Sequence, residues 1–185
     1  MQVMKDHWLA RVRRRPSANC APRSDPDDVS LLVIHNISLP PGQFGTGMVE
    51  ALFTNQLDVS RDERLADLEG LQVSSHLLID RRGRTTQFVP FDQAAWHAGL
   101  SEWRGRCGCN DFAVGIELEG TDSRAYTKAQ YRRLLLVTRA LLARYPRLSA
   151  EAIVGHLEIA PGRKTDPGPV FAWSAYLQAI APGHG

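Results

Sequence analysis

Leu31-Leu32-Val33-Ile34 is an uninterrupted apolar run, and it ends on His35. A half-exposed strand alternates apolar and polar residues; a run without a polar member belongs to a strand covered on both faces. Such a strand needs helices to cover its sheet, and the sequence supplies them. Val49, Leu52, Phe53 and Leu57 keep helical spacing, with Thr46 as a cap. Thr127-Lys128-Ala129-Gln130 reads as a capping box. It opens a helix whose apolar stripe is Tyr131, Leu134, Leu135, Thr138, Leu142 and Tyr145, closed by Pro146. A final helix over 174–180 carries Tyr176, Leu177 and Ile180.

Other segments read as strands. Residues 75–80 and 85–89 form a hairpin around Arg81-Arg82-Gly83-Arg84. Along 112–119, Val114, Ile116 and Leu118 take one face, and Gly115, Glu117 and Glu119 the other. Residues 152–155 are a further short strand. The charged stretch 61–70 reads as a surface connection, 161–169 as a rigid Pro/Gly loop, and 96–110 as a long loop of the kind that carries function. Strands and helices alternate imperfectly around an inserted hairpin. This predicts an α/β (α+β) fold: one domain with a mixed central β-sheet flanked by helices. The expected division is an arm over 1–28 packed on the domain, the domain itself over 29–180, and a tail over 181–185.

Composition narrows the function classes. A net charge of +2 on 185 residues demands neither nucleic acid nor a membrane surface. Arg11, Arg13, Arg14 and Arg15 cluster near the start, but the aromatic interleaving of a nucleic-acid binder is missing, so they read as a solvated arm. Residues 1–19 lack the apolar core of a secretion signal, and no stretch reaches membrane-spanning length. The cysteines Cys20, Cys107 and Cys109 are odd in number, and Cys107-Gly108-Cys109 has no second pair to complete a zinc site. Reduced thiols in a reducing cytoplasm are expected.

Three positions stand out by placement. His35 and His156 each end a strand, and Asp166 lies in the proline-stiffened loop that follows. Two imidazoles and a carboxylate are a donor set for a catalytic zinc. Among six histidines, spacing alone leaves His76 and His97 as rivals. Glu117, beside Gly115 on its strand face, is a candidate general base, and Glu119 shares that face as its competitor. Lys164, two residues before Asp166 in an extended loop, points the same way, where an ammonium can stabilise an oxyanion.

These residues sit in long ordered motifs. They are the run from Leu32 through His35 and Asn36 to Gly45 (LVIHNISLPPGQFG), Val73-Ser74-Ser75-His76, Trp96-His97-Ala98-Gly99 and Cys109-Asn110-Asp111-Phe112. Gly115 to Asp122 (GIELEGTD), Gly155-His156 and Ile159 to Gly168 (IAPGRKTDPG) complete the set. From about Val29 to Trp173 the chain resembles the AmpD family of cytosolic 1,6-anhydro-N-acetylmuramyl-L-alanine amidases. The resemblance implies a fold like that of type 2 amidases and peptidoglycan-recognition proteins. It implies Zn2+ on His35, His156 and Asp166, with Glu117 as acid/base and Lys164 as oxyanion stabiliser. It implies an anhydro-muropeptide substrate for a protein expected to be monomeric, with no nucleic-acid or membrane partner. A role in peptidoglycan recycling follows, and an indirect effect on muropeptide-controlled β-lactamase induction. A non-catalytic peptidoglycan-fragment-binding module of the same fold is the alternative. Asn36, Trp96, His97 and Arg106 are expected to contact substrate. Where the family carries carboxylate-holding arginines, this chain has Gln72 and Gly108, and Arg106 is near enough in sequence to replace the second. Leu157-Glu158 is a further departure, at positions with no expected ligand role.

Overall fold

A computed structural model describes residues 1–180 of the chain; the expected tail over 181–185, and with it His184, lies outside the described residues. The strands are β1 (Arg13–Arg14), β2 (Cys20–Pro22), β3 (Leu31–Ile37), β4 (Leu77–Ile79), β5 (Thr85–Gln87), β6 (Gln93–Ala95), β7 (Glu102–Trp103), β8 (Arg106–Cys107), β9 (Ala113–Glu119) and β10 (Ile153–Gly155). The α-helices are α1 (Met48–Phe53), α2 (Lys128–Arg144), α3 (His156–Ile159) and α4 (Trp173–Ile180). A six-stranded sheet runs β1-β5-β4-β9-β3-β10. The β4–β5 hairpin is antiparallel and every other pair in this sheet is parallel. The expected mixed central sheet flanked by helices is therefore present.

β3 is an interior strand between β9 and β10, which explains the apolar run. Leu31 to Ile34 are fully buried, and all four join the core cluster that includes Leu134, Val137 and Leu141 of α2, Val3 and Leu9 of the arm, and Phe91 and Ala98. The two-residue period of a strand sorts the partners. Leu77, Ile79, Ile116 and Leu118 join Leu134, Val137 and Leu141 in one core cluster. Leu78, one residue out of phase, joins Leu52, Phe53 and Leu65 in the other. Leu78 is in register with Glu117, and Glu117 with His35, so the polar site grows on the α1 side of the sheet.

Helix α2 begins at the expected capping box: Thr127 Oγ1 accepts from Gln130 N, and Gln130 Oε1 accepts from Thr127 N. Its buried residues are Gln130, Leu134, Val137, Thr138, Ala140 and Leu141. The expected stripe is thus corrected, with Tyr131, Leu135 and Leu142 only partly buried. Adjacent leucines at 134–135 and 141–142 make the phase ambiguous in sequence. Contact with both the sheet and α4 settles it, through Thr138 Oγ1 and the Tyr176 hydroxyl at 2.6 Å. At α1 the cap residue is Gly47, whose φ of 77° suits a residue without a Cβ. Thr46 sits one step earlier, accepting from Met48 N and donating to Leu39 O.

Residues 96–110 are more ordered than a loop. Arg104-Gly105 joins β7 and β8 with φ of 50° and 82°. Two positive φ values in a two-residue hairpin connection match the twist of the flanking strands. The stretch 61–70 is a surface connection as expected, apart from Leu65, which is wholly buried.

The arm is threaded into the fold. Val3 and Leu9 enter the main core, β1 extends the sheet along β5, and β2 pairs with β6. Arg13 and Arg15 both bind Glu50, and Arg14 binds Asp6. Arg23 is 4% exposed and donates to the carbonyls of Phe91, Asn110 and Ala113. The described helices include none long and apolar enough to cross a membrane.

Candidate metal centre and active site

Parallel register places His35 of β3 beside Glu117 of β9. The neighbouring strand β10 delivers its chain directly into α3, so His156 is the first residue of that helix rather than the last of a strand. Asp166 comes from the loop after α3, which is tied back by Leu157 N donating to Asp166 O at 3.1 Å. The Tyr126 hydroxyl donates to Pro167 O at 2.7 Å. Gly155 and Gly168 permit this close approach, because a Cβ on either would fall on Pro167 or on the Asp122 backbone.

Three donor atoms converge. His35 Nδ1 lies 3.0 Å from His156 Nδ1 and 3.0 Å from Asp166 Oδ2, and His156 Nδ1 lies 3.2 Å from the same oxygen. These atoms form the one His/Asp group among the described residues arranged to hold a metal ion. His156 turns its Nε2 to the carbonyl of Ala98 at 3.2 Å, so the imidazole proton sits there and Nδ1 presents a lone pair. Without an ion, protons must bridge these contacts; with two neutral imidazoles presenting Nδ1 lone pairs beside the carboxylate, one cation would relieve all three. The triangle's edges are close to the roughly 3.3 Å between ligand atoms of a tetrahedral zinc with bonds of about 2.0 Å. The donor set fits zinc.

Electrostatics agree with the geometry. Burial pushes His35 down to about 4, against the opposing hydrogen bond of Asp166. Burial works to raise the Asp166 carboxyl, but hydrogen bonds with His156 and His35 outweigh it and hold the group below the ordinary carboxylate range. Glu117 is held well above that range by burial and by Asp166, against the attraction of Lys164. Its Oε2 is buried and has no hydrogen-bond partner. Glu119 is different: it accepts from the backbone N–H groups of Gly45 and Arg81, which fixes it as a structural clasp.

A cavity of about 280 Å³ contains His35, Asn36, Trp96, His97, Glu117, His156, Lys164 and Asp166 on its walls, closed on one side by Leu39, Leu52, Phe53, Leu68 and Leu71. Eight of the nine expected site residues meet here. A more open groove of about 530 Å³ shares Asn36, Lys164 and Asp166 and continues past Ser38, Thr121 and Arg163. Arg106 does not line either space. Its guanidinium is held by Asp28 at 2.7 Å and lies over the Phe112 ring at 3.8 Å, on the far end of the β7–β8 hairpin. Gly108 lines a separate groove of about 760 Å³ between that hairpin and α3, which holds none of the five chemical residues. The departure at Glu158 has a structural use, since its carboxylate accepts from Gly155 N at 2.8 Å ahead of α3. Sequence reading missed Tyr126, Asp122 and Asn110. Asp122 accepts from Asn36 Nδ2 at 2.7 Å, and Asn110 Oδ1 accepts from the backbone N–H groups of His97 and Ala98. Only the quoted motifs marked Asn110 and Asp122, and Tyr126 lies outside them.

The family of N-acetylmuramoyl-L-alanine amidases matches residues 25–169. The 1,6-anhydro-N-acetylmuramyl-L-alanine amidase AmpD of Citrobacter freundii is 51% identical over 180 residues, covering 97% of this chain and 96% of its own. The chain belongs to the AmpD family of N-acetylmuramoyl-L-alanine amidases. A crystal structure of a selenomethionine AmpD derivative superposes with a TM-score of 0.93 at 51% identity, over 98% of this chain and 100% of that one. The Escherichia coli amidase AmiD, solved with anhydro-N-acetylmuramic acid-L-Ala-D-gamma-Glu-L-Lys, has a TM-score of 0.61 at 32% identity. That match covers 89% of this chain and 60% of AmiD. The AmpD family's mixed sheet and helical cover are those described above.

Proposed function

We propose that this protein is a zinc-dependent amidase that hydrolyses the lactyl–L-alanine amide bond of 1,6-anhydro-N-acetylmuramyl-peptides. The reading rests on one observation above all. A metal-holding triangle of His35, His156 and Asp166 and the unpartnered carboxylate oxygen of Glu117 share one cavity. The AmpD relatives, named for this activity, and the AmiD complex with an anhydromuramyl peptide support the substrate.

His35, His156 and Asp166 would hold the ion. Zinc bound there supplies a Lewis-acidic charge that polarises a carbonyl and acidifies water. Glu117 accepts a proton from the attacking water as its oxygen adds to the lactyl carbonyl carbon. Lys164 places its ammonium beside the oxygen that gains negative charge. The C–N bond then breaks, and Glu117 returns its proton to the departing alanine nitrogen. A lactyl carboxylic acid and a free stem peptide result. Asn36, Trp96 and His97 line the cavity that receives the substrate.

A fragment-binding module without catalysis would use neither a buried base nor an oxyanion donor, and both Glu117 and Lys164 stand in the cavity. The proposal includes a bacterial cytoplasmic location, supported by three free cysteines. It includes a monomer whose domain spans 29–180, and control of muropeptide-dependent β-lactamase induction through consumption of the fragment. The deciding experiment digests anhydro and reducing-end muropeptides with wild type and Glu117→Ala, with and without a chelator. Cleavage by the wild type, abolished by chelation and by the substitution, is expected. Cleavage that survives both would overturn the mechanism, and binding without cleavage would establish the module.

A further inference from the structure

A metal-binding imidazole has two nitrogens, and only the unprotonated one can bind the ion. Something must therefore keep the proton of each histidine on Nε2. For His156 that partner is the carbonyl of Ala98, at 3.2 Å. For His35 it is the side chain of the preceding residue: His35 Nε2 lies 2.9 Å from His97 Nδ1. One dipeptide thus faces the outer nitrogen of both imidazoles.

The dipeptide is itself held. Asn110 Oδ1 accepts from His97 N at 3.0 Å and from Ala98 N at 2.8 Å. Arg163 donates to the second lone pair of Ala98 O at 2.6 Å. The His97 ring lies flat on Gly115, where a Cβ would come within 2.5 Å of its Cγ, so only glycine leaves room for it. The neighbouring backbone is also fixed, since Gly115 N donates to His76 Nδ1 at 3.0 Å.

We propose that His97-Ala98, pinned by Asn110, is a tautomer clamp that sets His35 and His156 for metal binding, with His97 and Asn110 as positioning residues. An ion on His35 Nδ1 would set the direction of the proton chain. With His35 Nδ1 turned to the ion, its Nε2–H donates to His97 Nδ1. His97 then carries its own proton on Nε2. That nitrogen is buried and has no hydrogen-bond partner among the described residues. Neither tautomer of His97 pairs that nitrogen, so its buried ring is held at a cost and calls for a compensating role at its paired nitrogen, Nδ1. Fixing the tautomer of His35 is that role.

This inference rests on the metal reading and is tested beside it. Zinc affinity is measured by chelator competition, and histidine tautomers by long-range 1H–15N correlation in the zinc-loaded wild type. His35, His97 and His156 are each expected to carry the proton on Nε2. His97→Phe is expected to weaken zinc binding about 10- to 100-fold, the usual cost of losing an outer partner of a metal ligand. The melting temperature of its zinc-free form should stay near that of the wild type. Asn110→Ala should weaken binding similarly, and Asn110→Asp, which keeps an acceptor oxygen, should restore it. A wild type that binds no zinc overturns the metal reading together with the clamp. A wild type that binds zinc while His97→Phe binds it equally well overturns the clamp alone. So does a zinc-loaded His97 protonated on Nδ1, a result that needs no variant to fold.

Discussion

His35 and Glu117 are directly paired residues of adjacent parallel strands, so one strand ladder sets an imidazole of the proposed metal triangle beside a buried carboxylate. The ladder, rather than any loop, fixes their spacing, and sites built on strands hold their geometry closely.

Glu117→Gln is expected to lower kcat by about 10²- to 10⁴-fold, the usual worth of a positioned acid/base, with zinc affinity retained. Its stability should move the other way. Burial holds the Glu117 carboxyl well above its ordinary value, so folding favours the protonated form. That contribution is complete below the unfolded value near 4.5 and is lost as pH rises through the folded value. Urea unfolding of the zinc-free proteins should show Glu117→Gln more stable than wild type at pH 8, with the gap closing toward pH 4. A gap independent of pH would contradict the assignment.

Lys164→Met should reduce kcat by roughly 10²-fold or more, with KM changed far less, because the ammonium acts on charge that exists only at the tetrahedral stage. Steady-state kinetics on an anhydromuramyl tripeptide measure the split. A variant defective only in KM would make Lys164 a substrate-binding group instead.

Acid should destabilise the protein through His76. This ring is fully buried, accepts from Gly115 N at 3.0 Å and faces Gln93 O at 2.9 Å. Burial and Arg23 push it down to about 3. The unfolded chain therefore takes up a proton near pH 6.5 that the folded chain refuses, so stability falls as pH drops from 6.5 toward 3. The slope from this one group is about 1.4 kcal/mol per pH unit. His76→Asn should remove one proton's worth of slope in urea titrations of the zinc-free protein between pH 6 and 4. An unchanged slope would move the effect to other histidines.

Arg23→Met should cost about 3 kcal/mol or more in denaturant unfolding. Three buried carbonyls, those of Phe91, Asn110 and Ala113, lose their donor at once. A loss under about 1 kcal/mol would show that the carbonyls find other partners.

Much of the site was legible before the fold. An apolar run that ends in histidine marked β3, and the period of two along β9 put Glu117 and Glu119 on one face. Sequence could not separate those two acids. The difference lies in backbone donors from distant segments, Gly45 and Arg81, which engage Glu119 and leave Glu117 Oε2 without a partner. Arg106 lies outside the cavity lining for a related reason: Asp28, far away in sequence, holds its guanidinium.

The sequence by itself determined the buried central strand, the capped helix α2, the motifs that identify the family and the residue types available for zinc chemistry. These follow from local periodicity and composition, which act over a few residues. Only the tertiary structure decided which histidines face one another, which acid is left bare and which nitrogen of each imidazole faces the triangle. Those are matters of distance between segments more than a hundred residues apart, as for His35 with His156 and Asp166. Hydrogen bonds and lone pairs are satisfied in space, and chain order does not say where.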